Sequence, residues 1–283
     1  MGSVDREKIR AALLESLEKA GAILKETIFD RRVVAHKTEL SLVTETDHRS
    51  EEAIVRTILS HFPDHAILTE ESPARGKSPY RWIIDPLDGT TNFVHTFPAA
   101  CVSIAFEDHG QITFGGVFDP FRTELFYAEK GRGATLNGLP IVVSQNPTLG
   151  HSLLCTGFPY DRRQNADSYL AIFKAFMMRV QGIRRTGAAA LDLAYVASGR
   201  FDGFWELKLR NWDVAAAYLL VEEAGGKLSD FRGQPLTVSN PETDWVPQMA
   251  ASNGFIHEEM IEILKPFVSM GLRPYGPSGP EGK

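Results

Sequence analysis

The segment with the clearest chemistry reads WIIDPLDGTTNF and runs from Trp82 to Phe93. An apolar strand is predicted to deliver Asp85 at its carboxyl end, and Asp88 follows three residues later. Two carboxylates this close repel each other unless a cation lies between them, and hard oxygen ligands suit Mg²⁺, Mn²⁺ or Ca²⁺. The backbone N–H groups of residues 89–91, at a predicted helix start, suit a phosphate. The pattern indicates a metal-dependent phosphatase, and the plain alternative is a strand end followed by a turn.

Two further acidic sites favour the phosphatase interpretation. Glu70 follows an apolar strand predicted over 66–68, and Asp213 begins an apolar helix predicted over 212–223. Taken singly, Glu70 could lie in a solvated acidic turn and Asp213 could be an ordinary helix N-cap.

Gathered in one cleft, these carboxylates would be costly without cations, so we expect ions to be integral to the site. Two ions about 3.5–4 Å apart can clamp an in-line displacement at phosphorus. No side chain in these motifs resembles a covalent nucleophile, and direct attack by water is therefore expected.

The elements that must position these residues follow two patterns. Between about residues 100 and 143, strand-like runs separated by turn signals predict antiparallel hairpins. From about residue 146, predicted strands and helices alternate. Long helices are predicted over 4–28 and over 48–61, the second with Asp47 as its N-cap. The predicted fold class is α/β of the mixed α+β kind, with layered sheets covered by helices.

The chain is expected to divide into an N-terminal half over 1–145, a C-terminal half over 146–270 and a disordered tail over 271–283. The first half carries most of the candidate ligands, and the second carries Asp213 and Glu206.

Composition limits the class of protein. The 283 residues carry a net charge of -6, which argues against a dedicated nucleic-acid binder. The longest apolar run, Val214–Val221, has 8 residues and is too short to span a membrane. The N-terminus has no apolar signal core, and the two cysteines form no CxxC pair, which favours buried reduced thiols. We expect a soluble cytoplasmic protein.

The motifs resemble those of the inositol monophosphatase family, part of a Mg²⁺-dependent, lithium-sensitive phosphatase superfamily. The resemblance rests on Asp85–Phe93 and on Trp212–Ala216 with Glu223–Gly226, supported by Glu70–Ser72 and Leu42–Asp47, in the family's order and approximate spacing. It covers the chain from about residue 5 to residue 268. It implies a layered α-β-α-β-α sandwich, assembled as a homodimer.

The resemblance also implies roles for individual residues. The first metal is assigned to Glu70, Asp85 and the carbonyl of Leu87, and the second to Asp85, Asp88 and Asp213. A third, more weakly bound ion is assigned to Glu70 and water. Thr90, paired with Asp47, is assigned to activating the attacking water, and Glu70 is counted with them as catalytic. The substrate contacts are assigned to Asp88, Gly89, Thr90, Gly187, Ala189, Glu206 and Asp213. The implied cofactor is two or three Mg²⁺ ions, with Mn²⁺ as an alternative and Ca²⁺ as an inhibitor.

Two positions depart from the family pattern. Ala188 stands where a small hydroxyl residue is common, so one hydrogen bond to substrate is missing. Lys37 could match a family lysine near the cleft, although its spacing to Thr44 is one residue short.

The expected substrate is a myo-inositol monophosphate or a similar sugar or polyol phosphate. Fructose-1,6-bisphosphatase and 3'(2'),5'-bisphosphate nucleotidase activities are alternatives, and histidinol-phosphatase relatives stay open. The nucleotidase type usually has a longer insertion than the 14 residues between Glu70 and Asp85. An added transcription- or RNA-associated binding role is a further alternative, which the acidic net charge does not support.

Overall fold

The computed structural model describes residues 5–30, 34–36, 42–239 and 243–270. Within these ranges the helices are α1 (Arg6–Thr27), α2 (Glu45–His61), α3 (Thr90–Val94), α4 (Arg162–Met177), α5 (Ala189–Ala197), α6 (Asn211–Glu223) and α7 (His257–Leu264). The strands are β1 (Val34–His36), β2 (Leu42–Thr44), β3 (Ala66–Thr69), β4 (Tyr80–Asp88), β5 (Cys101–Asp108), β6 (Gln111–Asp119), β7 (Glu124–Glu129), β8 (Ala134–Leu136), β9 (Leu139–Ile141), β10 (Leu153–Thr156), β11 (Gly182–Arg184), β12 (Gly203–Arg210), β13 (Lys227–Ser229) and β14 (Trp245–Ser252).

The N-terminal strands β3 to β9 form a seven-stranded sheet in chain order. β3 and β4 are parallel, and every later pair in this sheet is antiparallel, which confirms the predicted hairpins. His109 and Gly110 join β5 to β6 with φ values of 51° and 81°. Two consecutive positive φ angles match the twist that a two-residue hairpin requires.

The later strands form a five-stranded sheet in the order β11-β10-β12-β14-β13. β10 is parallel to β11 and β12, as expected where helices connect successive strands. β14 is antiparallel to β12 and β13, so this sheet is mixed.

Helices cover both sheets and separate them. α1 and α2 pack on one face of the seven-stranded sheet, around Trp82 and Phe106. α5 and α6 lie between the two sheets and contact both. α4 and α7 cover the far face of the five-stranded sheet, where Phe176, Trp205 and Met260 are buried together. This is the predicted α-β-α-β-α sandwich, and the apolar character of α6 on all sides follows from burial between two layers.

Two predicted boundaries near the site are wrong. α2 begins at Glu45, and its N-cap is Thr44 rather than Asp47. β12 runs through Glu206 to Arg210 because β14 pairs with it along nearly its whole length. Glu206 therefore lies inside a strand rather than at its end. The predicted tail over 271–283 and Lys37 lie outside the described residues.

Candidate active site

Glu70 and Asp85 come together because their strands are parallel and in register. Thr69 and Ile84 form the last residue pair between β3 and β4. Glu70 and Asp85, the next residue of each strand, therefore lie at the same level. Asp85 is only 2% exposed, and its Oδ1 accepts the N–H of Leu87 at 3.0 Å. This short-range bond turns the chain at Pro86, as Asp side chains commonly do.

Asp88 returns to the sheet after an irregularity in the ladder. The pairing of β4 with β5 shifts between Asp85 and Asp88, which places Asp88 opposite Cys101. Its Oδ2 accepts the N–H of Ala190 at 2.7 Å and lies 3.7 Å from the Cys101 thiol. Ala190 belongs to the first turn of α5, where N–H groups lack helical partners. The sequence did not reveal either contact, because both join segments far apart in the chain.

Asp213 reaches the same cleft from α6. The N-cap of this helix is Arg210, and Asp213 is the third helical residue. Its Oδ2 accepts the Arg210 N–H at 2.7 Å. The alternative that Asp213 is an ordinary N-cap is therefore wrong, although its carboxylate does stabilise the helix start.

Burial and mutual repulsion raise the pKa values of these aspartates. Burial and the neighbouring charges of Glu70, Asp88 and Asp213 hold the pKa of Asp85 well above its usual value. Burial also raises the pKa of Asp88 to about 7, against hydrogen bonds from the backbone that lower it. The pKa of Asp213 is raised by burial and then by the charge of Glu70.

Converging buried carboxylates of this kind fit a hard divalent cation, which would favour their ionised forms. The fit rests on the chemistry of these donors. Among the residues that the structure describes, no group of three or more His, Cys, Asp or Glu side chains lies close enough together to hold a metal ion, so the ligand set is not preformed.

Asp47 and Thr90 form the predicted pair at one side of the cleft. The Thr90 hydroxyl lies 3.2 Å from Asp47 Oδ1 and 3.1 Å from the Leu87 carbonyl. The other oxygen of the fully buried Asp47 accepts the N–H of Thr44 at 2.8 Å and its hydroxyl at 2.5 Å. The carboxylate that was predicted to cap α2 thus ties the helix start to Thr90.

Gly89 stands directly before α3 with a φ of 93°. A Cβ at this position would lie 2.8 Å from the carbonyl oxygen of Ala99, so the chain can pass here only as glycine. This close packing against Ala99 fixes the backbone at the start of α3.

The loop before α5 lies against α3. Asn92 donates from Nδ2 to the carbonyls of Ala99 and Thr186, each at 2.8 Å. Gly187 has a φ of 93°, and a Cβ there would meet the Asn92 amide at 3.2 Å. The loop that carries the predicted contacts Gly187 and Ala189 is thereby held against α3, the helix that Gly89 precedes.

Glu206 is half-buried in the middle of β12. Its carboxylate lies so close to Gly157 that a Cβ at that position would be 2.0 Å from Oε1. Burial raises the pKa of Glu206 well above its usual value, against the charge of Arg185, which lowers it. The alternative of a surface glutamate is not what the structure shows, because the Glu206 carboxylate packs against Gly157, while the nearby Lys208 ammonium pairs with Asp161.

Comparison with known proteins decides the family. Residues 5–266 match the sequence model of the inositol monophosphatase family. The chain belongs to the inositol monophosphatase family. Its enzyme class is accordingly that of the phosphoric monoester hydrolases, as the motifs predicted.

Two relatives with different names have the same sequence identity to this chain. The inositol-1-monophosphatase of Synechocystis is 46% identical over 225 residues, which is 79% of this chain and 76% of that protein. Nus factor SuhB of Pseudomonas aeruginosa is 46% identical over 228 residues, or 78% and 84% of the two chains. The solved inositol monophosphatase of Anabaena superposes with a TM-score of 0.81 at 42% identity, covering 92% of this chain and 96% of that one.

One buried acid of this family member was missed by the sequence analysis. Asp192, in α5, accepts a hydrogen bond from the Thr186 hydroxyl. Burial raises the pKa of Asp192 to about 8. An acidic residue within an apolar helical run was the available signal.

No helix in the described ranges is long and apolar enough to cross a membrane.

Proposed function

We propose that this protein is a Mg²⁺-dependent phosphomonoesterase that hydrolyses myo-inositol monophosphate or a similar polyol phosphate. The observation that carries the proposal is the convergence of Glu70, Asp85, Asp88 and Asp213 beside the Asp47–Thr90 pair. The names of the Synechocystis and Anabaena relatives support the choice of inositol phosphate.

The donors divide into two overlapping sets. Glu70, Asp85 and the Leu87 carbonyl would hold one ion, and Asp85 with Asp88 and Asp213 would hold another. Bound there, a divalent cation neutralises charge on the phosphate and leaving group and makes water acidic enough to attack. The number of ions, replacement by Mn²⁺ and inhibition by Ca²⁺ are part of this proposal.

Thr90 and Asp47 handle the proton of the attacking water. The Thr90 hydroxyl lies within donating distance of Asp47 Oδ1, and when it donates there its oxygen lone pairs can accept a hydrogen bond from water. As the water oxygen bonds to phosphorus, its proton moves to Thr90 Oγ1 and the Thr90 proton moves to Asp47. Glu70 faces the same water and orients it. The bond from phosphorus to the alcohol oxygen breaks in line, the alkoxide takes a proton from solvent, and Asp47 releases the proton it accepted to solvent, which restores the starting state.

The remaining predicted residues bind the substrate. The backbone N–H groups of Gly89 and Thr90 donate to phosphate oxygens at the start of α3. Glu206 accepts hydrogen bonds from polyol hydroxyls, and the loop at Gly187 and Ala189 lies along the ring. With Ala188 in place of a hydroxyl residue, selection among alcohols depends on Glu206.

A panel of phosphate esters tests the proposal. Phosphate release would be measured at saturating Mg²⁺ from myo-inositol 1-phosphate, fructose 1,6-bisphosphate, histidinol phosphate and adenosine 3',5'-bisphosphate. We expect kcat/KM to be highest for the inositol ester. A higher value for another ester would overturn the substrate, and no release from any ester would overturn the activity.

A second candidate function is an association with the transcription machinery. It is favoured by the Pseudomonas relative, whose name is Nus factor SuhB and whose identity equals that of the Synechocystis enzyme. A tagged copy purified from its own cells would bring down RNA polymerase or ribosomal proteins if this function exists, and neither if it does not.

The proposed phosphatase is also a homodimer in the cytoplasm. Sedimentation velocity of the purified protein would test the dimer.

A further inference from the structure

One face of α2 reaches both loops that carry the candidate metal ligands. Asp47, Ser50 and Glu51 lie at positions i, i+3 and i+4, which share a side of a helix. Asp47 meets Thr90, and the Ser50 hydroxyl donates to the Pro86 carbonyl at 2.8 Å. Glu51 contacts the other loop, which carries Glu70, and it has no role in the sequence motifs or in the proposed mechanism.

Glu51 accepts three hydrogen bonds from the residues that flank Glu70. Its Oε2 accepts the Thr69 hydroxyl at 2.6 Å and the Glu71 N–H at 3.0 Å. Its Oε1 accepts the Ser72 hydroxyl. Glu51 is only 5% exposed, so these bonds are made largely away from water.

These bonds act where the sheet stops. The last residue pair of the β3–β4 ladder is at Thr69, and the turn that follows has backbone pairing only at its base, where Ile67 and Arg75 exchange two hydrogen bonds. Glu70 lies in that turn, and the residues on both sides of it donate hydrogen bonds to the carboxylate of Glu51. Hydrogen bonds to a charged acceptor are stronger than those to a neutral one. A metal-binding residue that is already held in place loses less conformational entropy when an ion binds.

We propose that Glu51 is a positioning residue that fixes the orientation of Glu70 and thereby sets the affinity of the site for Mg²⁺. This inference rests on the proposed function, in which Glu70 is a metal ligand. Loss of an outer partner of a ligating carboxylate typically weakens metal binding about 10- to 100-fold. Glu51 touches neither the ion nor the substrate, so its loss should act mainly on metal affinity and little on KM for the ester.

Three variants separate positioning from charge and from stability. Glu51→Ala removes all the acceptors, whereas Glu51→Gln loses the charge but keeps an oxygen for the Thr69 and Glu71 donors and places its amide nitrogen where the Ser72 hydroxyl oxygen can accept from it. Glu52→Ala is the matched control, because it removes the same charge from the exposed side of the same helix. Mg²⁺ binding would be measured by isothermal titration calorimetry without substrate, and unfolding of each metal-free variant by thermal denaturation.

We expect Glu51→Ala to raise the Kd for Mg²⁺ at least about tenfold, with Glu51→Gln and Glu52→Ala within about threefold of wild type. At Mg²⁺ concentrations that saturate Glu51→Ala, KM for the ester should stay within about twofold, because the substrate contacts are intact. Should Glu51→Ala not fold, Ser72→Ala, which removes one donor near the surface, should still raise the Kd about two- to fivefold, a fraction of the full effect.

An unchanged Kd in Glu51→Ala, or an equal rise in Glu51→Gln or Glu52→Ala, would overturn the positioning role. A drop in metal-free stability with normal Mg²⁺ affinity would overturn it too. Wild type distinguishes this failure from that of the proposed function: if wild type binds Mg²⁺ and hydrolyses the ester, only the inference about Glu51 is lost.

Discussion

At the scale of single residues, Asp213 stabilises its helix and adds charge to the cleft, and one substitution separates the two roles. Asp213→Asn keeps an oxygen that can accept the Arg210 N–H, but it loses the charge. We expect turnover at saturating Mg²⁺ to fall at least about a hundredfold, as when a key electrostatic stabiliser is removed. Loss of a helix-start contact alone would cost about 1 kcal/mol of the free energy of unfolding and leave turnover intact. Near-normal turnover would remove Asp213 from the metal site.

Glu206 tests substrate choice. Glu206→Gln should lower kcat/KM for an inositol phosphate about 10- to 150-fold, because a hydrogen bond to a charged group contributes roughly 1.5–3 kcal/mol. An aryl phosphate without those hydroxyls should lose far less, since the carboxylates at Asp85 and Asp88 are untouched. Both esters would be assayed with wild type and variant at saturating Mg²⁺. Equal losses on the two esters would assign Glu206 to the fold rather than to substrate selection.

Sequence reasoning found the residues that carry charge and missed those that hold them in place. Asp85, Asp88 and Asp213 could be identified because carboxylates at the ends of apolar segments are conspicuous. The Ala190 N–H on Asp88 and the contacts of Glu51 could not be identified, because they depend on how distant segments pack. A backbone donor also has no side-chain signature.

At the scale of elements, Glu223 joins the end of α6 to the hairpin between β7 and β8. Its two oxygens accept the N–H groups of Gly131 and Gly133, each at 2.8 Å. Glu223→Ala should lower the free energy of unfolding by about 1–3 kcal/mol, since two N–H groups lose a charged acceptor. Turnover at saturating Mg²⁺ should stay within about twofold, because the cleft is at the other end of α6.

The control for Glu223 is the neighbouring Glu222, which is exposed. Glu222→Ala should change the free energy of unfolding by less than about 0.5 kcal/mol in urea denaturation. If the two variants were equally stable, the contacts to the hairpin would contribute nothing measurable.

Element boundaries were predictable where local signals act alone. The start of α2 was misplaced because Thr44, Glu45 and Asp47 all suit a helix start, and only the capping box decides among them. β12 was predicted too short because pairing with β14 overrides the polar residues Glu206 and Lys208. Tertiary pairing thus moved Glu206 from a strand end to a strand interior.

At the scale of the whole molecule, the buried acids make stability depend on pH and metal. Burial raises the pKa of Asp88 to about 7, whereas its ordinary value is 3.8. The folded state therefore holds this proton more tightly than the unfolded chain. Its contribution to stability is complete below about pH 4 and is lost as the pH rises through about 7. Asp85 and Asp213, whose pKa values are also raised by burial, act in the same direction.

We expect the Tm of metal-free protein to fall by about 5–10 °C between pH 5 and pH 8, since each kcal/mol moves Tm by roughly 2–4 °C at this size. Added Mg²⁺ should restore Tm more at pH 8 than at pH 5, because protons compete for the same oxygens. Differential scanning calorimetry with and without chelator would measure both. Asp88→Asn, which cannot titrate there, should show a shallower fall. A metal-free Tm that rises over this range would contradict the assigned carboxylate environment.

The layered architecture was predictable as a class because hairpin signals fill one half of the chain and alternating strands and helices fill the other. Composition and periodicity alone do not specify that β14 pairs with β12. The site depends on how the layers stack, since Asp213 comes from α6 between the sheets and Glu206 from the five-stranded sheet, while Glu70, Asp85 and Asp88 come from the seven-stranded sheet and the turns at its strand ends.

The most direct test of the central claim is inorganic phosphate release from myo-inositol 1-phosphate by the purified protein, in chelator and then with excess Mg²⁺. Clustered carboxylates that act through divalent cations predict no release above background in chelator and full release once Mg²⁺ is added. Equal release in both conditions, or none in either, would contradict the account.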